Sequence, residues 1–139
     1  MNKLLTALII TLLLTACGKE LEWRNAEISN GQVFEQGANE GFTGMVYNIP
    51  AQALVMNDPE FAPRFYNSFS MNDSAATVFA VSGSHCAADF KHGVRHGYVE
   101  CHDARNNLVL EMLYTEGSPS DTAIWYASSG DEVGRIEFD

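Results

Sequence analysis

Positive charge is scarce in this chain of 139 residues, where 8 lysines and arginines face 18 aspartates and glutamates for a formal net charge of −10. Nucleic-acid binding draws on a basic face that displaces counterions from phosphates, so this balance argues against that class. It argues equally against a protein lying flat on an anionic membrane. Long hydrophobic runs are also missing. The apolar run Leu4–Leu14 covers 11 residues, which at about 1.5 Å per residue reach roughly 16 Å, short of a hydrocarbon core of about 30 Å. A phosphate-binding loop is absent, since Gly93-x-x-x-Gly97 lacks the Lys-Ser/Thr that completes one. The stretch Ser82-Gly83-Ser84-His85 has no nucleophile-elbow pattern, and in a strand Ser84 and His85 point to opposite faces. The carboxylates are plentiful but scattered, and none pair off as a general acid and its partner. Low-complexity segments and a second domain are lacking as well. The expectation is one domain, no cofactor and no enzyme activity.

What the chain does carry begins with a targeting segment. Lys3 precedes the short apolar run, the pattern of a signal peptide rather than an anchor helix. Leu14-Thr15-Ala16-Cys17 resembles the bacterial lipobox. That resemblance implies cleavage after residue 16, then lipidation of the Cys17 sulfur and of its new amino group. The other reading of Cys17 is a buried or disulfide-bonded thiol. Several acyl chains together give stable anchoring where one is marginal. Gly18, in place of the aspartate that resembles an inner-membrane retention signal, implies the outer membrane of a Gram-negative envelope, with the protein facing the periplasm. The organisation expected is a signal peptide over 1–16, a lipidated cysteine and tether over 17–30, and one domain over 31–139. Cleavage would leave 7 lysines and arginines against 18 acidic residues, a net charge of −11. Net charge speaks to association and solubility, and this one favours a basic partner.

The domain is organised around Phe90–Gly97, FKHGVRHG, and its echoes. Tyr114 follows Phe90 by 24 residues and Phe138 follows Tyr114 by 24, while Gly117 follows Gly93 by 24. Upstream, Phe34-x-x-Gly37-x-x-x-Gly41-Phe42 matches Phe90-x-x-Gly93-x-x-x-Gly97-Tyr98. An aromatic that closes a strand, followed by glycines able to take φ > 0, is a hairpin signature, and a fixed period means stacked supersecondary units. The fold class expected is mainly β, antiparallel hairpin repeats of about 24 residues with a short helical insertion at 48–74. Asn30-Gly31 reads as a turn. Gln32–Phe34 and Phe42–Tyr47 read as the first hairpin, with Gly37 and Gly41 in its loop. Asp58 before Pro59 looks like a helix N-cap, and Phe61, Phe65 and Phe69 recur on one face of a helix over 59–69. Ala75–Val81 reads as a strand. A loop centred between Gly93 and Val94 makes facing residues sum to 187, so Phe90 faces Gly97, Cys86 faces Cys101 and His85 faces His102. Alternation then places Cys86, Ala88, Phe90, Val99 and Cys101 inward, and His85, Asp89, Tyr98, Glu100 and His102 outward. In the next unit Leu108, Leu110, Met112 and Tyr114 point inward with Ala123 and Trp125.

With Cys17 assigned to lipid, Cys86 and Cys101 remain as an even pair for an oxidising compartment, and their facing positions predict a disulfide. It would close a 16-residue loop, worth about 3 kcal/mol in the chain-entropy model. All four histidines, His85, His92, His96 and His102, fall within 18 residues. They are either ordinary loop and strand histidines or a zinc site, since three imidazoles can hold zinc with one position open.

Phe90-x-x-Gly93-x-x-x-Gly97-Tyr98, followed by Asn106-Asn107-Leu108 and Glu111-x-x-Tyr114-x-x-Gly117, resembles MORN-type repeats, and in particular their degenerate form in bacterial YwqK-type antitoxins. Phe34-x-x-Gly37 and Phe42-Thr43-Gly44 are similar to a segment of the same proteins. The resemblance covers residues 31–47 and 83–139, with Asp121 in place of the second glycine and Asn106 in place of the usual turn glycine. It implies function by binding, with no catalytic residues. Joined to the lipobox, it implies a periplasmic immunity lipoprotein that occludes a basic toxic effector. The contact residues expected are Phe61, Phe65 and Tyr66 on the insertion and Glu35 and Glu40 beside the first loop; the other reading of the insertion's phenylalanines is that they cap one end of the sheet. The alternatives are a structural or assembly lipoprotein holding a resident envelope protein, and an inhibitor of a lysozyme-type hydrolase.

Overall fold

The computed structural model describes residues 19–69 and 75–139. The segment expected to be a signal peptide, and Cys17, lie outside the described residues. Nine strands carry the fold: β1 (Lys19–Glu22), β2 (Ala26–Ser29), β3 (Gln32–Glu35), β4 (Gly44–Pro50), β5 (His85–Lys91), β6 (Val94–His102), β7 (Leu108–Thr115), β8 (Ser118–Tyr126) and β9 (Glu132–Phe138). Seven of them form one sheet in the order β1-β4-β5-β6-β7-β8-β9, and β2 and β3 form a separate hairpin. Neighbours from β4 to β9 are antiparallel, while β1 lies parallel to β4. Two helices, α1 (Ala62–Asn67) and α2 (Ala75–Ser82), belong to the stretch between β4 and β5. Among the described residues no helix is long and apolar enough to cross a membrane.

Three of the hairpins, β2–β3, β5–β6 and β7–β8, close on two-residue turns. Asn30-Gly31, His92-Gly93 and Glu116-Gly117 all have φ > 0 at both residues, the backbone whose twist matches that of the flanking strands. Their flanking pairs are Ser29↔Gln32, Lys91↔Val94 and Thr115↔Ser118. Period-two alternation then sorts the side chains. Val46, Ile49, Cys86, Ala88, Phe90, Val99, Cys101, Leu110, Met112, Tyr114, Ala123, Trp125 and Ile136 are buried in one cluster. The segment between β4 and β5 covers this face with Ala51, Leu54, Val55, Phe61, Phe65 and Val81, all buried in the same cluster. Phe65 meets the edge of Trp125 at 5.1 Å between ring centroids. Cys86 and Cys101 face each other on β5 and β6 and form the disulfide.

A buried polar cluster ties the covering segment to the sheet. Asp58 is only 3% exposed. Its Oδ1 accepts the Glu60 and Phe61 N–H groups at 2.8 and 2.9 Å, capping the turn that leads into α1. Its Oδ2 accepts the Tyr114 hydroxyl at 3.0 Å and lies 3.5 Å from Arg95 Nη1. The Arg95 guanidinium stacks over the Tyr114 ring at 4.6 Å and also donates to the Leu54 carbonyl. Burial first, and the Asp58 carboxylate beside it, push the Tyr114 hydroxyl pKa well above its usual value, although Arg95 opposes the shift. That hydroxyl therefore stays a proton donor at any physiological pH. At the rim of the sheet, Arg64 of α1 donates to the Glu137 carbonyl at 3.0 Å and lies over the Phe138 ring.

Several sequence expectations are corrected. The first hairpin is not Gln32–Phe34 with Phe42–Tyr47, because β3 pairs with β2 across Asn30-Gly31. The loop 36–43 instead lays Phe42 against the β5–β6 turn: Phe42 donates to the Val33 carbonyl, Val33 to Gly93 and Gly93 to Phe42. Gly41 fits there because a Cβ would stand 2.4 Å from the His92 carbonyl. Within the stretch 17–30, where Leu21, Trp23 and Ile28 suggest the start of a first strand, β1 in the main sheet and β2 are formed from Lys19 onward. Ala75–Val81 is helical rather than extended. Its three alanines suit a helix, and Thr77 and Val81, four apart, are its buried residues. Facing sums of 187 hold for His85, Cys86 and Ala88, but a bulge after Ala88 makes Phe90 face Arg95 rather than Gly97. The helix expected over 59–69 is shorter, with a capped turn before Ala62.

Two stability changes follow. Tyr114→Phe leaves Asp58 Oδ2 without its hydroxyl donor, and the denaturant midpoint should fall by the equivalent of about 1–3 kcal/mol. Gly41→Ala drives a methyl into the His92 backbone and should cost about 1–3 kcal/mol in the same assay. Gly31→Ala, where a Cβ meets nothing within 4 Å, serves as the control for strain at positive φ alone.

Candidate partner-binding surface

The face of the seven-stranded sheet opposite the core has no covering segment among the described residues. Its occupants alternate with the core residues along each strand. Met45 and Tyr47 come from β4, Ala87 and Asp89 from β5, and Tyr98 and Glu100 from β6. β7 and β8 add Glu111, Leu113, Ile124 and Tyr126, and β9 adds Arg135 and Glu137. Tyr98 is 68% exposed and stands opposite the half-buried Leu113. Beside it a shallow depression of about 210 Å³ is lined by Met45, Ala87, Asp89, Tyr98 and Glu100. A second row runs across the strands as Ala87, Glu100, Glu111, Ile124 and Arg135. It sets Glu100 directly opposite Glu111, a like-charge pairing that costs the sheet stability.

Tyr126 moderates that charge. Its hydroxyl donates to Glu111 Oε1 at 2.5 Å. This hydrogen bond, with a smaller contribution from burial, pushes the Tyr126 pKa up to about 12. The face thus joins an aromatic, small aliphatic side chains and carboxylates in one exposed area. It offers apolar contact and negative charge.

The residues expected to bind from sequence are dispersed. Phe61 and Phe65 are 0% exposed and pack in the core, so they have no surface to offer a partner. Tyr66, beside them on α1, is 47% exposed. Glu35 and Glu40 line a different feature, an open groove of about 730 Å³ with Lys19, Asn39, Thr43 and His92 at one end of the sheet. The histidines are also separated. His85 and His102 face each other at one end of the β5–β6 hairpin, and His92 occupies the turn at the other. His96 accepts the Glu116 N–H. Among the described residues no three His, Cys, Asp or Glu side chains gather as a metal site. Sequence reasoning placed Asp89, Tyr98 and Glu100 outward but did not single them out. Alternation in β4 and β7–β9 carried the signal for the rest of the face.

Comparison of the chain with protein-family models, with curated proteins and with solved structures finds no match.

The Tyr126–Glu111 bond has a spectroscopic consequence. A tyrosine whose folded pKa is raised above its ordinary 10.0 contributes stability that is present below pH 10 and is lost as pH rises towards 12. Alkaline absorbance titration should show a step at about pH 12 that Tyr126→Phe removes, and Glu111→Gln should move that step down towards 10.

Proposed function

We propose that this protein is an immunity-type envelope lipoprotein, held in the outer membrane through Cys17, that binds and occludes a basic toxic effector. The observation that carries the reading is the open sheet face, where exposed Tyr98 and its apolar neighbours are ringed by Asp89, Glu100 and Glu111 on a chain of net charge −10. Tyrosine in such a setting is a typical binding hot spot, since it buries a large rigid area and keeps a polar tip. Carboxylates around it raise the on-rate for a cationic partner and disfavour acidic ones. The occluding contacts of this reading lie on that face rather than on Phe61 and Phe65, with Tyr66 outside it. The resemblance to MORN-type and YwqK-type repeats and the lipobox at Leu14–Cys17 support binding in the periplasm, and the Cys86–Cys101 disulfide suits an oxidising compartment.

The test is affinity capture on residues 18–139 from envelope and secreted fractions, followed by an inhibition assay on what is retained. The expected result is one basic hydrolase whose activity falls on mixing. Tyr98→Ala should weaken its binding by about tenfold or more without moving the melting temperature, because Tyr98 is exposed. Binding should also weaken as salt rises. Retention of resident envelope proteins alone, with no hydrolase inhibited, would replace this reading with the assembly lipoprotein.

A further inference from the structure

The fold begins very close to the residue that the proposed function assigns to the lipid. Lys19 is already the first residue of β1, in register with Gly44 of β4. Cys17 is two residues away, a reach of about 7 Å for extended chain. An acyl group on Cys17 would therefore lie no farther than that reach from the first residue of β1. The registers state which end of the sheet this is. Lys19 lies beside Gly44, Gly44 beside Phe90, and Phe90 leads into the His92-Gly93 turn. Gly97 lies beside Tyr114, which leads into the Glu116-Gly117 turn. The loop 36–43 enters β4 at this same end. The turns at 103–107 and 127–131 lie at the opposite end, about 20–30 Å away for strands of this length.

The near end also holds the open groove of about 730 Å³. Lys19 supplies one cation, Glu35 and Glu40 supply two carboxylates, and Asn39, Thr43 and His92 supply polar side chains. A cation and carboxylates in one open groove are complementary to a group that carries both a phosphate and a primary ammonium. They suit neither a simple anion nor a simple cation as well. Resting on the lipidation reading above, we infer that the protein stands on the membrane by this end and that the groove at Lys19, Glu35, Glu40 and His92 takes the headgroup of an aminophospholipid. The open sheet face then rises from the bilayer surface, and an effector meets it within one strand length of the membrane.

The experiment uses the full chain, extracted from membranes, with its intact mass measured first. It is reconstituted into phosphatidylcholine vesicles doped either with phosphatidylethanolamine or with phosphatidylglycerol, and backbone hydrogen exchange is compared with the detergent state. In the phosphatidylethanolamine vesicles, amides of 36–43 and 92–93 should exchange about threefold slower or more, with 103–107 and 127–131 unchanged. Lys19→Glu should abolish the slowing while leaving the acyl mass in place. A chain without the acyl mass overturns both the lipidation reading and this inference. An acylated chain with no slowing, with slowing at the opposite end, or with equal slowing in both vesicles overturns this inference alone.

Discussion

Everything in this fold depends on the segment between β4 and β5 staying in contact with the sheet, and one carboxylate holds it there. Asp58 uses each of its oxygens for a different task. Oδ1 ends the chain's turn into α1, and Oδ2 receives Tyr114 and Arg95 from the sheet. A buried carboxylate is costly unless its lone pairs are met, and here three hydrogen-bond donors meet them, with the Arg95 guanidinium 3.5 Å away as an ion-pair partner. Asp58 follows Leu54 and Val55 and precedes Phe61 and Phe65, all buried. The polar contact thus sets where the apolar side chains land, and their burial supplies most of the driving force. Without this cover, the inward row from Val46 to Trp125 would lie open, and a single sheet with two exposed faces has no core.

The same arrangement explains the contrast between the two faces. One is closed by local sequence. The other keeps Tyr98, Leu113 and Ile124 in the company of Glu100 and Glu111. The opposed carboxylates are tolerated because solvent screens them and Tyr126 donates to one of them. A sheet selected for stability alone would place a lysine opposite Glu100. The pairing observed accepts a local penalty and presents negative charge on the open face.

Much of this was legible in the sequence where the physics is local. Asn30-Gly31 reads as a turn because its backbone needs φ > 0 and glycine advertises it, whereas the loop expected between Gly93 and Val94 closes one residue earlier, at His92-Gly93. Alternation from Cys86 to Cys101 disclosed the inward row and the disulfide, because period two survives as long as the ladder is regular. It failed at the bulge after Ala88, where one extra residue changed the partner of Phe90 and no residue type marks the slip. Ala75–Val81 was misread because Thr, Val and Phe favour strands in isolation, whereas the observed packing selects a helix. The repeated Phe-x-x-Gly pattern suggested a hairpin at 32–47, yet its second glycine, Gly41, serves a close approach to His92 instead. Phe61 and Phe65 were legible as one helical face. Sequence could not say that the face was turned inward, since an aromatic stripe serves a core and an interface equally well. The Asp58–Tyr114 contact spans 56 residues and had no local signal at all.

The Arg64 contact at the sheet's rim has a bearing on the protein's solution behaviour. β9 is the last strand, and such a strand presents unsatisfied backbone groups to any extended chain that drifts past. Arg64 occupies the Glu137 carbonyl, and Glu132, Arg135 and Glu137 place charge along the same strand. A second chain docking there would have to displace a guanidinium and desolvate three ionic side chains. The β9 rim is thereby guarded against strand-by-strand growth, so two acidic sheets that meet there repel rather than pair.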